Sequence, residues 1–280
     1  MKHLIVTADD FGAALQVNDA VLDAHRNGIL TAASLMVAAP AAADAVARAH
    51  ATPSLRVGLH LVLVDGKPML PPAKVPDLVG ADGNFRNDMA RAGAAMFFLP
   101  HVKRQLAAEI AAQFAAFLAT GLALDHINAH KHFHLHPTIA SMLVRQAAAH
   151  GVKGARVPLE PQGVLGRIEP RKASAVTAIT QPFARALRRR FARAGIVSPD
   201  SVFGLAWSGA VTAPRLKGII DNLPDGLSEI YLHPATGSYP GAAPGYRYPE
   251  EHAALLDSAV IAATRRGDIR LGGFCDFPVQ

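Results

Sequence analysis

The sequence alternates short runs of β-forming residues with longer stretches of helical periodicity. The eight strand candidates begin at His3, Thr31, Arg56, Leu124, Gly154, Val202, Ser228 and Ile269. Strands that alternate with helices indicate an α/β fold, and eight of them predict an irregular, TIM-barrel-like (β/α) barrel. An open doubly wound sheet is the alternative, but the first strand is not followed by a glycine-rich phosphate-binding fingerprint.

The helical stretches carry their own start and stop signals. Apolar residues recur at helical spacing from His101 to Thr120, and Gly121 ends that run. Pro137 and Pro249 each open a further helix at the first helical position, where proline is tolerated. The helix that begins at Pro249 is expected to run toward Gly267.

The length and the absence of a clear linker or internal repeat favour one domain. A chain of 280 residues can bury one large core. The stretch from Gly66 to Pro100 is rich in proline, glycine and aspartate and has weak periodicity. We therefore expect residues 1–280 to form a single domain with a loop or lid insertion around residues 66–100.

Cysteine usage and charge limit the compartment and the partners. Cys275 is the single cysteine, and neither a signal peptide nor an apolar run of about 20 residues is present, so we expect a cytoplasmic protein. The net charge is +6, and basic residues concentrate from Arg185 to Gly195. They are not interleaved with aromatics, so no nucleic-acid partner is expected. A solvated helix face and contact with an anionic membrane both stay open.

Asp9 and Asp10 end the first strand candidate, where a (β/α) barrel collects its catalytic groups. Adjacent carboxylates repel each other, and a bound cation would relieve that repulsion. The alternative is that Asp10 caps the following helix while Asp9 is solvated. The pair is therefore a candidate metal or catalytic site.

Histidines alternate along the segment HINAHKHFHLHP, at positions 126, 130, 132, 134 and 136. In an extended segment they would share one face. Neutral imidazoles are good zinc ligands, and we expect one of the cluster to bind the metal. His60 lies alone in an apolar strand; next to the aspartate pair and the cluster, it is a candidate ligand as well.

An aspartate and two histidines would form a metal site with positions open to water. A divalent metal lowers the pKa of bound water and polarises a carbonyl oxygen. A nearby free carboxylate can take a proton from water, and a separate histidine can give one to a leaving amine. Together, these groups could hydrolyse an amide bond.

Five motifs in order along the chain resemble those of the YdjC-like carbohydrate deacetylases. They are TADDFG, VGLHL, NAHKHFHLHP, RVP and EIYLHP. The resemblance implies that Asp9 is the general base and His233 the general acid, and that the metal is held by Asp10, His60 and His130. It also implies that Arg156 and His132 contact substrate or orient other groups.

The resemblance also bears on the cofactor. It implies one divalent metal ion; the histidine-rich site favours zinc, and the family also admits magnesium. The family commonly has an aspartate two residues before the third ligand, where this chain has Asn128. The charge next to the metal therefore differs from the family pattern.

TADDFG, ILTAASLMV, GLHLVLV and NAHKHFHLHP most resemble the hopanoid-biosynthesis branch of the family. That branch implies removal of the N-acetyl group from an N-acetylglucosaminyl hopanoid, a lipid-linked amino sugar. The apolar stretch from Ala92 to Pro100 could shield its lipid part or simply pack under the loop. Peripheral membrane contact and a homodimer are further expectations.

Three other functions were weighed. The chain could deacetylate chitooligosaccharides with the same site. A metal-dependent phosphoesterase would usually need two metals and more carboxylates than this chain offers. A non-catalytic metal- or lipid-binding protein would not need a spare carboxylate and a separate histidine beside the metal.

Overall fold

The structure is a computed structural model that describes residues 1–170 and 175–277, without the side chains of residues 175–178. All eight predicted strands are present, and every strand pairing is parallel. The strands are β1 Lys2–Phe11, β2 Ala32–Leu35, β3 Arg56–Leu61, β4 His126–Ala129, β5 Gly154–Ala155, β6 Ser201–Phe203, β7 Gly226–Leu232 and β8 Ile269–Leu271.

The sheet is a parallel half-barrel surrounded by helices, which confirms the expected α/β, barrel-like fold, but the barrel is not closed. Its order is β5-β4-β3-β2-β1-β7-β6, without a ladder between the two end strands in the described part. The eighth strand does not close the ring, because β8 pairs with the first residues of β1. The carbonyls of Leu4 and Val6 accept from Gly272 and Thr31, so β8 and β2 share one edge of β1.

Ten helices lie in the described ranges. They are α1 Leu15–Asn27, α2 Ala42–His50, α3 Met89–Phe98, α4 Pro100–Ala119, α5 Pro137–Ala149, α6 Gln162–Ile168, α7 Ala175–Arg193, α8 Ala213–Asp221, α9 Tyr248–Leu256 and α10 Ser258–Thr264. The predicted helices at His101 and Pro137 correspond to α4 and α5. The helix predicted from Pro249 to Gly267 is two helices, because the Asp257 side chain accepts from the N–H groups of Ala259 and Val260 and starts α10.

The segment around residues 66–100 is packed against α4. The buried Glu109 carboxylate accepts hydrogen bonds from the backbone N–H groups of Met69 and Leu70, at 2.7 and 3.0 Å. Farther along, Val79 and Phe85 form an antiparallel bridge. The segment ends in α3, which begins at Asp88, whose side chain accepts from the Arg91 N–H. The segment therefore contains a helix and a small hairpin, although its sequence has only weak periodicity.

The interior of the half-barrel changes from apolar to polar along the strands. At the amino-terminal end lies a small apolar cluster with Ile5, Leu227 and Phe274 at its centre. Above it, buried polar side chains from β1 and β7 face the same space, and Thr7 donates to Glu229 at 2.8 Å. A layer of buried, hydrogen-bonded polar side chains therefore lies directly beneath the carboxyl ends of the strands, where the site is.

Candidate active site

A cavity of about 630 Å³ opens at the carboxyl ends of the strands. The predicted site residues that line it are Asp9, Asp10, His60, His130, His132 and His233. Arg156 is the predicted site residue that does not line the cavity, since it is fully buried beneath it. The carboxyl ends of the strands therefore bring together residues that are as much as 224 positions apart in the sequence.

A left-handed backbone turn near the end of β1 places the side chains of Asp9 and Asp10 at the same cavity. Asp10 has a φ of 62°, in the left-handed region, and its carbonyl accepts from the Ala13 N–H. This turn lets both carboxylates face one cavity, although neighbouring side chains on a regular strand point to opposite sides. Aspartate is one of the residues that tolerates this conformation best.

Asp10, His60 and His130 form the candidate metal centre. Asp10 Oδ1 lies 3.3 Å from His60 Nε2 and 3.2 Å from His130 Nδ1. One ligand atom from each residue lies within 4.8 Å of the others. In the described chain, Asp10 Oδ1 and His60 Nε2 are buried without a hydrogen-bond partner, although buried polar atoms normally have one. Two imidazoles and a carboxylate with free ligand atoms fit a divalent metal such as zinc.

The surroundings keep Asp10 ionised. Burial alone would raise its pKa, but the charge of His130 and the close ring nitrogens of His130 and His60 hold the pKa well below the ordinary value. An ionised carboxylate is the form that binds a cation. The second nitrogen of His60, Nδ1, lies 2.7 Å from Asn128 Oδ1.

Asp9 is held by a buried arginine. Arg156 donates to both carboxylate oxygens of Asp9, at 2.5 and 3.0 Å, and to Glu229 at 2.7 and 3.0 Å. Burial would raise the pKa of Asp9, but the charges of Arg156 and His60 bring it far below the ordinary range. Asp9 is therefore ionised and fixed in orientation. This geometry favours an orienting role for Arg156, and its predicted contact with substrate stays a prediction.

His233 follows β7 and lies beside a second buried carboxylate. The Glu251 carboxylate accepts from the backbone N–H groups of His233 and Val211, and its Oε2 lies 3.9 Å from His233 Nδ1. The pKa of Glu251 is raised because the group is buried, and the nearby His233 opposes that shift. His233 therefore lines the same cavity as the metal ligands, with the Glu251 carboxylate behind it.

The alternating histidines do not share one face, contrary to the expectation from an extended segment. β4 ends at Ala129, and residues His130–Leu135 form a tight 3-10 turn. Lys131 and His132 have left-handed φ values of 51° and 52°, which turn successive side chains in different directions. The polar contacts are Asp125 and Ser34 for His126, Asp10 for His130, Tyr231 for His132, the Arg156 carbonyl for His134 and the Gly93 backbone for His136.

His134 should make the fold sensitive to mild acid. Burial lowers the pKa of His134 to about 3 from the ordinary 6.5, so the folded state resists a proton that the unfolded chain accepts. Its contribution to stability is complete above pH 6.5 and is lost as the pH falls toward 3. Between pH 7 and pH 5 we expect this group to lower the free energy of unfolding by about 2 kcal/mol.

Urea unfolding of wild type and His134→Gln at both pH values measures this effect. Glutamine can keep the hydrogen bond to the Arg156 carbonyl but does not titrate. The stability of the variant should therefore fall less between pH 7 and pH 5. An equal fall in the two proteins would contradict the assignment.

Several residues of the site were not singled out from the sequence. Glu229 and Glu251 are buried behind Asp9 and His233, and the signal for Glu229 was an acidic residue inside the apolar strand SEIYLH. One wall of the cavity is aromatic. It contains Tyr231, Tyr239, Tyr246 and Tyr248. Such rings give a flat apolar surface with polar edges, which suits the face of a sugar.

Comparison with known proteins places the chain. Residues 3–266 match the family described as YdjC-like protein. The chain belongs to the YdjC-like family. A carbohydrate deacetylase of Geobacillus stearothermophilus is 30% identical over 281 residues, covering 99% of this chain and 98% of that protein. A carbohydrate deacetylase of Homo sapiens is 32% identical, covering 85% of this chain and 76% of that protein.

A solved crystal structure has a similar fold. The crystal structure of a proposed cellobiose-phosphate cleavage protein from Enterococcus faecalis V583 superposes with a TM-score of 0.76. The two chains share 22% identity, and the match covers 99% of each. At this level of identity the likeness establishes the fold of this family member and carries no conclusion about its substrate.

Proposed function

We propose that this YdjC-like protein is a metal-dependent carbohydrate N-deacetylase. The observation that carries the proposal is the position of the Asp10, His60 and His130 ligand atoms next to Asp9, a second carboxylate that Arg156 keeps ionised. A site that only stored or carried a metal would not need that second carboxylate. The deacetylase names of the relatives from Geobacillus stearothermophilus and Homo sapiens support the same reaction.

The residues divide the work of amide hydrolysis. A divalent metal held by the three ligands would acidify water and polarise the acetyl carbonyl. Asp9 takes the proton of the attacking water; because its pKa is low it is a weak base, so it suits a water that has already been acidified. His233, which also lines the cavity, gives a proton to the departing amine.

His132 and Tyr231 shape the cavity next to these groups. His132 Nε2 lies 2.8 Å from the Tyr231 hydroxyl, and the Tyr231 ring lies 4.3 Å from the Arg156 guanidinium. Burial and the charge of Arg156 hold the pKa of His132 well below its ordinary value, so this imidazole is neutral. His132 can therefore position a sugar hydroxyl without adding charge to the site.

The metal can be tested by its stoichiometry. The wild-type protein should bind one zinc ion per chain, and His60→Ala or His130→Ala should be purified with much less, because a zinc site needs at least three protein ligands. His25→Ala removes a histidine that lies outside the cavity and is the matched control. Plasma emission spectrometry after dialysis measures the zinc content. A zinc content equal to that of wild type in both ligand variants would contradict the assignment of these residues as metal ligands.

As substrate we propose an N-acetylglucosaminyl hopanoid, with a chitooligosaccharide as the alternative. The motifs of the hopanoid branch support the first choice, and so do the exposed apolar side chains at the junction of α3 and α4. Phe97, Phe98 and Leu99 are 45%, 72% and 41% exposed, so they do not pack under the loop. We call them the Phe97–Leu99 patch and propose that it covers a lipid tail or touches a membrane.

A direct assay tests the reaction and separates the substrates. Zinc-loaded protein is incubated with either compound, each beside Asp9→Asn, and acetyl loss is followed by mass spectrometry. Loss from the hopanoid alone supports the lipid-linked substrate, and loss from the chitooligosaccharide alone keeps the reaction and removes the lipid. No loss from either compound would contradict the proposed substrate class.

Membrane contact is proposed separately, as peripheral binding. No helix within residues 1–170 and 175–277 has the length and apolar character to cross a bilayer. Lys103 lies over the Phe97 ring at 5.7 Å, which places a positive charge beside the Phe97–Leu99 patch. Wild type should co-sediment with phosphatidylglycerol vesicles at low salt, and Phe98→Ser should do so less. Leu15→Ser removes another exposed apolar side chain, 54% exposed and outside the patch, and should have no effect.

A further inference from the structure

A chain of buried polar side chains crosses the interior of the half-barrel and ends at the candidate metal centre. The Asp125 carboxylate lies 2.9 Å from His126 Nδ1, and His126 Nε2 lies 3.0 Å from the Ser34 hydroxyl. Ser34 Oγ is in turn 2.8 Å from the Asn128 amide nitrogen. Asn128 Oδ1 contacts His60 Nδ1 at 2.7 Å. The five side chains are all buried, and the proposed reaction uses His60 alone among them.

The chain is held firmly at its far end. The two Asp125 oxygens accept from the backbone N–H groups of Phe274 and Cys275, at 3.1 and 3.0 Å. The Phe274 ring stacks on the His126 imidazole with 4.5 Å between ring centroids. Gly58 leaves the space for that imidazole, since a Cβ there would lie 2.6 Å from the ring. His126 is therefore fixed in place and in orientation.

A fixed end determines which way every proton in the chain points. The Asp125 carboxylate is an acceptor, so His126 must carry its proton on Nδ1. A neutral imidazole then has a lone pair on Nε2, and the Ser34 hydroxyl donates to it. The Ser34 oxygen is left to accept, and the group next to it that can donate is the Asn128 amide nitrogen.

The Asn128 amide has two possible orientations, and they have opposite consequences for His60. With Oδ1 toward His60, Nδ1 of that ring must donate, and its Nε2 lone pair is free for a metal. With the amide turned by 180°, its nitrogen donates to His60 Nδ1 and its oxygen accepts from Arg156 at 3.1 and 3.2 Å. The Nε2 atom of His60 would then carry the proton and could not bind a metal.

Locally, the turned orientation has an advantage, because the other one places the amide nitrogen against the N–H groups of Arg156. We propose that Asp125, His126 and Ser34 are positioning residues that keep the Asn128 oxygen toward His60 and so hold His60 ready to bind metal. A carboxylate at position 128 would have two acceptor oxygens and would not need this control. The amide needs it, because only one of its ends can accept.

The inference rests on the metal site of the proposed function, but its test does not depend on turnover. The amide nitrogen donates to Ser34 Oγ at 2.8 Å and to Asp9 Oδ1 at 3.3 Å. Ser34→Ala removes the nearer of these two acceptors, and it should weaken zinc binding about 10- to 100-fold, as loss of such supporting contacts typically does. Ser228→Ala is the matched control, since Ser228 is equally buried on β7 and its hydroxyl has no hydrogen-bond partner among the described residues. Zinc affinity is measured by competition with a chromophoric chelator.

A second substitution separates orientation from simple structural damage. In Asn128→Asp the residue accepts from His60 whichever way it is turned, so adding Ser34→Ala should change zinc affinity by less than about threefold. If Ser34 mattered only for packing, the loss would be the same in both backgrounds. Equal losses, or no loss in Ser34→Ala itself, would overturn the proposal.

The zinc measurements also separate this inference from the proposed function. Failure of wild type to bind zinc would remove the proposed function and this inference with it. A wild type that binds zinc, beside a Ser34→Ala variant that binds it equally well, would overturn this inference alone.

Discussion

Asp9→Asn is expected to lower turnover by about 10²- to 10⁴-fold, the usual contribution of a general base, while zinc stays bound. Asparagine has almost the same size and can still accept from Arg156, but it cannot take a proton from water. The metal should remain, because its ligands are Asp10, His60 and His130 and do not include Asp9. Turnover and zinc content measured on the same preparation check both halves of the expectation.

A matched control comes from a second arginine-bound aspartate. Asp44 lies 2.7 Å from Arg48 Nε and does not line the cavity. Asp44→Asn should therefore leave turnover within about a factor of two of wild type, as expected for a surface position. If Asp9→Asn kept its activity, the base would have to be another group. If it lost zinc as well, Asp9 would belong to the metal site.

Arg156→Met is expected to destabilise the fold by about 3–5 kcal/mol, because it leaves buried carboxylates without their charged partner. The carboxylates of Asp9 and Glu229 both accept hydrogen bonds from the same Arg156 guanidinium, which is fully buried. Methionine fills much of the volume but supplies neither charge nor hydrogen bonds. Urea unfolding at pH 7 measures the difference, with zinc removed from both proteins so that metal binding does not contribute.

Arg215→Met provides the comparison at the surface. Arg215 also makes a two-pronged contact with a glutamate, Glu169 at 2.8 and 3.0 Å, and its guanidinium lies 5.2 Å from the Trp207 ring. The ion pair is partly exposed, so its loss should cost about 1 kcal/mol or less. If both variants lost a similar free energy of unfolding, burial would not make the ion pairs of Arg156 contribute more to stability than the exposed pair of Arg215.

Local sequence patterns were enough to predict the strands, and the family resemblance then selected the candidate metal ligands. The β-forming run from His3 and the isolated histidine of VGLHL both indicate buried parallel strands. Parallel strands end at the same edge of a sheet, so Asp10, His60 and His130 could be placed together without knowing any distance. The structure brings the ligand atoms of these three residues together.

The parts that were not predicted depend on contacts between distant segments. Arg156 and Glu229 are 73 positions apart in the sequence, and nothing periodic in between would pair these two charges. The left-handed turn at Lys131 and His132 opposes the alternation of the histidines, since tertiary contacts decide the backbone there. The position of β8 on the edge of β1 has the same cause, because three residues are too few to determine a partner strand.

The contact between Glu109 and the start of the 66–100 segment limits which part of that segment can move. Lifting Met69 and Leu70 from α4 would break two hydrogen bonds to a buried carboxylate, each contributing about 1.5–3 kcal/mol. A state that costs 3 kcal/mol or more is populated at below about 1%. Movement of the segment is therefore expected downstream of Leu70, in the Val79–Phe85 hairpin and α3. The Phe97–Leu99 patch would move together with α3.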